Sequence, residues 1–167
     1  MADEKQIIIA IGSNYNPRHN LSHAEMILRK HFPNIIFSKP MYTTPIGIVS
    51  PDFINRIALC STAEPLDMIL KDIKHMEQTC GNTDRLRRQG IVVIDIDILK
   101  YGDKKMHIDD WQRPYIQQLL KEMNLIWKKS AFSLLFLQVY NSKHNPLTSI
   151  LLITHLELIT SFQVMLS

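Results

Sequence analysis

The chain of 167 residues has only two cysteines, Cys60 and Cys80. Their spacing matches no zinc or redox motif. They are read as free thiols in a reducing compartment, which excludes a disulfide-stapled scaffold. Charge of one sign is also scarce: the formal net charge is +3. That suits an anionic small molecule, and it supplies no basic stripe for nucleic acid. No internal repeat or low-complexity tract is visible, so solenoid and linker architectures are excluded. The opening residues Met1-Ala-Asp-Glu-Lys-Gln6 are polar and run straight into a strand pattern, which is read as no signal peptide and a cytoplasmic setting. What remains is an ordinary globular composition, 46% hydrophobic and 21% charged, enough for one well-filled core.

The most informative stretch is Gly90-Ile-Val-Val-Ile-Asp-Ile-Asp-Ile-Leu99. It is β-branched and alternates with period two, as a strand does. Val92, Ile94, Ile96 and Ile98 are expected on one face. Asp95 and Asp97 fall on the other, with Cβ atoms about 7 Å apart. Two like charges on an apolar strand repel and are costly to desolvate. Either the strand face is solvated, or a divalent cation offsets both penalties. Mg²⁺ is commonly held by one or two carboxylates together with substrate phosphates.

Taken in order, Ile7–Ile11 reads as a buried strand ending in turn chemistry at Gly12-Ser13-Asn14. A helix is predicted over about Leu21–His31, capped by Asn20 or Ser22 and stopped by Pro33 and Asn34. A second strand runs from Ile35 to Tyr42, broken near Pro40. Thr43 to Ile48 is read as a loop. The third strand, Phe53–Ser61, puts Phe53, Asn55, Ile57 and Leu59 on one face. A second helix opens at Glu64-Pro65, buries Leu66, Leu70, Ile73 and Met76, and ends at Gly81. Asn82–Gln89 is read as a polar loop carrying Arg85, Arg87 and Arg88. After the carboxylate strand come a turn at Tyr101-Gly102-Asp103 and a helix over about Pro114–Met123.

The resulting β-α-β-β-α-β order predicts an α+β, ferredoxin-like sandwich: one antiparallel sheet with helices on one face. The open face is expected to carry Asn55, Asp95 and Asp97. A domain boundary is placed at 124. Residues 125–167 differ in kind, because Glu157 is the one charged residue between Pro146 and Ser167. That stretch is long enough to span a bilayer. Glu157 and His155 near its middle argue against membrane insertion, and the segment is read as an apolar tail of unassigned role.

Chemistry for a flat heteroaromatic ligand is present near the third strand. Asn55 offers an amide that both donates and accepts. Phe53 and Tyr115 offer aromatic faces for stacking.

Several motifs occur together in a specific order: Ala10-Ile-Gly-Ser-Asn14, Thr44-Pro45, Phe53-Ile-Asn55, Glu77 with Gly81, Gly90 through Leu99, and His107-Ile-Asp109-Asp-Trp-Gln-Arg113-Pro-Tyr115. The set resembles the 6-hydroxymethyl-7,8-dihydropterin pyrophosphokinase family over residues 6–123. The last segment is similar to that family's H-x-D-x-x-x-R-x-F. The resemblance implies a ferredoxin-like monomer that transfers pyrophosphate from ATP to a pterin hydroxymethyl oxygen and releases AMP. It implies two Mg²⁺ ions on Asp95 and Asp97. It places Thr44, Pro45, Ile46, Phe53, Asn55 and Tyr115 around the pterin. It places Glu77, His107 and Arg113 on the ATP side, Glu77 either there or as structural support. No nucleic acid or membrane partner is implied.

The chain departs from the family in two places. Asn82 stands where many members have an arginine, and Gln89-Gly90-Ile-Val-Val93 stands where W-G-P-R-T is common. Arg85, Arg87 and Arg88 are expected to replace the missing charge, with Arg88, nearest the strand, in the catalytic role. A second reading of another class is a ferredoxin-like module that binds pterin or nucleotide without turnover.

Overall fold

The computed structural model describes residues 4–47 and 49–125. The tail segments singled out above, beyond residue 125, lie outside the described residues. The chain divides into two compact units, Met1–Leu119 and Leu120–Ser167. The fold and the site below belong to the first.

Strand β1 spans Lys5–Ser13, helix α1 Pro17–His31, β2 Ile36–Phe37, β3 Met41–Thr43 and β4 Phe53–Thr62. Helix α2 spans Leu66–Thr79, α3 Asp84–Arg88, β5 Asp95–Tyr101 and β6 Lys104–Lys105. A 3₁₀ turn covers Ile108–Gln112, and residues 114–125 are helical (α4).

The sheet order is β2-β4-β1-β5-β6, with β3 also pairing β4, and all pairings are antiparallel. Joining β2 and β3 as one interrupted edge strand gives the ferredoxin-like order, as expected. The interruption falls at Ser38-Lys39-Pro40, where proline removes a ladder donor. Ile7, Ile9 and Ile11 of β1 form one core with Leu21, Ala24 and Leu28 of α1 and Ile69, Ile73 and Met76 of α2. Ile54 and Ala58 of β4 and Ile96 and Ile98 of β5 join them. Period-two alternation sends the intervening residues to the opposite face. There Ile8, Ile57, Leu59 and Leu99 are also buried.

Several local expectations are corrected. Helix α1 starts at Pro17, not near Leu21, because Asn16 takes a left-handed conformation (φ 41°) and proline suits the first helical position. Asn20 is therefore inside the helix, and its side-chain amide donates to the Tyr15 carbonyl instead of capping. In α2 the buried stripe is Ile69, Ile73, Met76 and Glu77, whereas Leu70 is exposed. The expected polar loop contains helix α3, whose Thr83 hydroxyl accepts from the Leu86 N–H at 3.3 Å. A five-residue helix carries too little apolar periodicity to announce itself, although Thr83 followed by Asp84 is a start signal. Strand β1 continues through Ser13, where a turn was expected. The Gly102-Asp103 turn between β5 and β6 forms as expected.

Candidate active site

The cleft is built on three adjacent strands. Gly12 of β1 pairs with Asn55 of β4 on one side and Asp95 of β5 on the other. Ala10 likewise pairs with Asp97. Asn55 and the two carboxylates are thus set along the face opposite the two long helices by register alone. Over this face lies a cleft of about 200 Å³, lined by Thr43, Thr44, Pro45, Ile46, Phe53, Asn55, Asp95, Asp97, Arg113 and Tyr115 among others. Nine of the residues singled out from sequence therefore meet in one place, drawn from β4, β5, the loop after β3 and the first turn of α4 with the residue before it.

At one end, Asn55 is buried and its Nδ2 donates to the Thr43 hydroxyl at 2.6 Å. That bond fixes which end of the amide faces the cleft. Gly12 is required beneath it: a Cβ there would lie 2.5 Å from Asn55 Oδ1. Phe53 and Tyr115 line the same cleft. Burial pushes the Tyr115 phenol above its ordinary pKa, so it remains a neutral donor.

At the other end sit the carboxylates. Burial, reinforced by the charge of Asp95, lifts the Asp97 carboxyl to about 6. His107 opposes this, with Nε2 3.6 Å from Asp97 Oδ1. Asp110, which sequence reasoning missed, also lines the cleft and pairs with Arg113 at 2.8 Å. Burial works against the Arg113 charge, but Tyr115, Asp110 and Asp97 outweigh it and hold the pKa above its ordinary value.

The segment before β5 is not strand. Ser13 Oγ donates to the Val93 carbonyl at 2.6 Å, and Asn14 Nδ2 donates to the Gly90 carbonyl at 2.7 Å. Val92 N–H donates to Asn14 Oδ1 at 2.7 Å. The Ser13 and Asn14 side chains, with one backbone bond from the Asn14 N–H to the Val92 carbonyl at 3.1 Å, thereby stand in for a regular ladder over 90–93. Val92, expected on the apolar face, consequently lines the cleft beside Asp95 and Asp97.

Glu77 is buried and does not line the cleft. Burial raises its pKa, and its Oε1 accepts the Ile96 N–H at 3.0 Å and Arg87 Nη2 at 3.2 Å. The same Arg87 Nη2 reaches Asp95 Oδ1 at 2.9 Å. Arg87, rather than Arg88, is thus the arginine of α3 that meets a carboxylate of the cleft. Arg88 Nε donates to the Asp84 carbonyl of its own helix, and neither Arg88 nor Arg85 lines the cleft. Asn82, at the position where an arginine is common, donates to the Ile94 carbonyl at 2.6 Å and serves as a backbone clasp.

The donor set fits a hard divalent cation. Asp95 and Asp97 present oxygen ligands, and burial, with the Asp95 charge, disfavours the ionised Asp97 carboxylate, a penalty that a cation would relieve.

The sequence model of the 7,8-dihydro-6-hydroxymethylpterin-pyrophosphokinase (HPPK) family matches residues 8–126. The chain belongs to this family. Among relatives of HPPK, a 2-amino-4-hydroxy-6-hydroxymethyldihydropteridine pyrophosphokinase of Haemophilus influenzae is 31% identical over 100 residues, covering 58% of this chain and 62% of the relative. The folate synthesis bifunctional protein of Arabidopsis thaliana is 26% identical over 123 residues, covering 67% of this chain and 25% of the relative. The bifunctional protein FolKE of Lactococcus lactis is 29% identical over 112 residues, covering 64% and 32%. The chain thus spans less than two thirds of the length of each of these relatives. The HPPK match covers every residue of the cleft.

Proposed function

We propose that this chain transfers the pyrophosphoryl group of ATP to the hydroxymethyl oxygen of 6-hydroxymethyl-7,8-dihydropterin, releasing AMP, in folate biosynthesis. The observation that carries this reading is the single cleft in which Asn55, Phe53 and Tyr115 stand beside Asp95 and Asp97. A pterin has a flat ring and a lactam edge that donates and accepts. Phe53 and Tyr115 supply faces for the ring, and Asn55 supplies a matching amide. Thr44, Pro45 and Ile46 close the pocket from the loop after β3.

Asp95 and Asp97 would hold Mg²⁺, two ions in this reading, which supplies charge neutralisation and alignment at the transferring phosphates. Arg113 and His107 border the carboxylates and are assigned to the phosphates of ATP. Arg113 is oriented by Asp110, and Arg87 stands on Asp95 from the far side. Holding the hydroxymethyl oxygen in line with the β-phosphorus is the main contribution of such a site, since effective molarity and preorganised charge dominate phosphoryl transfer. The deprotonating group for that oxygen is left to solvent or a bound phosphate.

The enzyme is taken to act as a monomer. Residues 1–124 form the catalytic domain in this reading. Among the described residues no helix is long and apolar enough to cross a membrane.

The test is a coupled assay for AMP release with ATP, Mg²⁺ and 6-hydroxymethyl-7,8-dihydropterin. Pterin-dependent AMP formation is expected. Tight binding of both ligands with no AMP would replace the enzyme reading with a binding module.

A further inference from the structure

Arg56 is the one charged residue of β4, set between Ile54 and Ala58 of the core. Alternation gives its side chain the same face as theirs, against α1. There its Nη1 donates to Glu25 of α1, and both side chains are only 18% exposed. The guanidinium lies 5.4 Å from the centroid of the Phe37 ring at the end of β2. Its Nε donates to the Ser38 carbonyl at 2.7 Å, and its Nη2 donates to the same oxygen. An ion pair taken this far out of water adds little stability over an apolar pair of the same volume. Its grip on Ser38 has another consequence.

That consequence is the register of the sheet edge. In β2, Ile36 faces Leu59 and Phe37 faces Ala58. Ser38 continues this register, with its N–H donating to the Ile57 carbonyl at 2.8 Å. In β3, however, Met41 faces Asn55, Tyr42 faces Ile54 and Thr43 faces Phe53. Lys39 and Pro40 therefore stand together opposite the single residue Arg56, and the edge is bulged there. Residues directly opposite share a face, and a shift by one residue sends each side chain to the other face. Without the bulge Tyr42 would oppose Phe53 and carry its phenol into the cleft. With it, Thr43 joins Phe53 and Asn55 in the cleft, while Tyr42 and Ile54 line a second cavity with Arg18 and Glu25 of α1.

The bulge displaces one buried acceptor. In a regular ladder the Ile57 N–H would donate to the Ser38 carbonyl. Here it donates to the Ser38 hydroxyl at 3.0 Å, which passes its own proton to the Lys39 carbonyl at 2.9 Å. Ser38 is fully buried, and its carbonyl takes its donors from the Arg56 fork.

We propose that Arg56 is a positioning residue for the pterin side of the cleft: it locks the bulged register that delivers Thr43 to Asn55 and keeps Tyr42 out. The Thr43 hydroxyl accepts from Asn55 Nδ2 at 2.6 Å, so the register of the edge sets the orientation of the amide. Thr44, Pro45 and Ile46 follow Thr43 and are carried by the same register. The inference rests on the reading of this cleft as a pterin site. It goes beyond that reading because Arg56 acts through the strand backbone and not on the ligand.

Arg56→Met alone would leave Glu25 buried without its partner, so the experiment uses the full chain carrying Arg56→Met together with Glu25→Leu. Exchange of such a pair for apolar residues is often neutral, and thermal melts and circular dichroism check the fold. NMR cross-strand contacts, recorded without ligand, report the register. The parent is expected to show Thr43–Phe53 and Tyr42–Ile54 contacts, and the double variant to lose both. By calorimetry the double variant's affinity for 6-hydroxymethyl-7,8-dihydropterin is expected to fall at least tenfold, and that for an ATP analogue less than twofold. Arg56→Lys keeps a charge for Glu25 but lacks the fork, and its pterin affinity is expected to fall between parent and double variant. The parent's contacts in a folded double variant would overturn the lock. Equal weakening of pterin and ATP analogue would also overturn it, as the mark of a merely structural residue. A parent that binds no pterin, beside a double variant that loses both contacts, removes the proposed function and leaves the register lock standing. Pterin-dependent AMP formation by the parent, with the register unmoved in the variant, does the reverse.

Discussion

Gly12 and Asn55 face each other across β1 and β4, and a Cβ on Gly12 would lie 2.5 Å from Asn55 Oδ1. Real Cβ atoms do not approach so closely, so Gly12→Ala must displace the Asn55 amide. The amide is the end of a side chain, and the backbone need not move. Gly12→Ala is therefore expected to fold, with a melting temperature within a few degrees of the parent. Its pterin affinity should fall by about 1–3 kcal/mol, the cost of leaving a buried polar partner unpaired. Affinity for an ATP analogue should fall much less. Calorimetry with both ligands checks this, and equal losses for the two would make Asn55 a structural amide. Asn55→Ala should show the same imbalance.

A second expectation concerns Asp97 and pH. Burial, then the Asp95 charge, raises its carboxyl from 3.8 to about 6. The folded protein thus holds a proton that the unfolded chain releases between those values. By linkage this contribution to stability is fully present below about 3.8, declines as pH rises, and is gone above about 6. Asp97→Asn removes the penalty of the buried charge. In metal-free buffer the variant should melt higher than the parent at pH 8, and the gap should close as pH falls towards 4. A gap that is flat over this range would show that Asp97 does not carry the penalty. Asp97→Ala and Asp95→Ala should both abolish AMP formation while leaving a foldable strand.

The long elements were legible because their patterns need only local physics. Ile7–Ile11, the alternation Phe53-Asn55-Ile57-Leu59 and Asp95-Asp97 each state a face without reference to the rest of the chain. The register that puts Gly12 between Asn55 and Asp95 was not legible, because antiparallel pairing joins residues more than 40 positions apart. Asp110 was missed for a different reason. The motif spacing drew attention to His107 and Arg113, and Asp110 comes beside His107 only because His107 turns the chain in a left-handed conformation and its carbonyl accepts the Asp110 N–H at 2.9 Å. Val92 was misplaced because a strand was extended back to Gly90. Ser13 and Asn14 satisfy that backbone with side chains, and alternation stops where the ladder stops.

The extent of the catalytic domain makes a third prediction. The cleft draws on nothing beyond Tyr115, and the core shared by the sheet and the two long helices ends at Ile98. A chain ending at Met123 should keep its sheet signature and its pterin affinity. Circular dichroism and calorimetry on the shortened chain check this. An insoluble or unfolded product would place part of 124–167 in the core and move the boundary.

The last prediction concerns Arg87. The family's usual arginines are absent at Asn82 and Val92, yet the transferring group still needs cationic donors that tighten in the transition state. Of the α3 arginines, Arg87 bridges Asp95 at 2.9 Å and the buried Glu77 at 3.2 Å, whereas Arg88 contacts its own helix. The carboxylates outweigh the cost of burying the Arg87 charge and hold its pKa above the ordinary value. A cation on Asp95 would repel this guanidinium and free it toward the phosphates, a move of one long side chain from an anchored helix. Arg87→Gln is expected to lower the rate of AMP formation about a hundredfold or more, the size found for loss of a transition-state donor. Arg88→Gln should change it by much less. Arg87→Lys should recover part of the rate, because charge returns without the planar fork. Thermal melts separate catalysis from folding, since Glu77 retains Lys74 at 3.7 Å and the Ile96 N–H when Arg87 is removed. Equal rates for the parent and a well-folded Arg87→Gln variant would assign the missing charge to another residue.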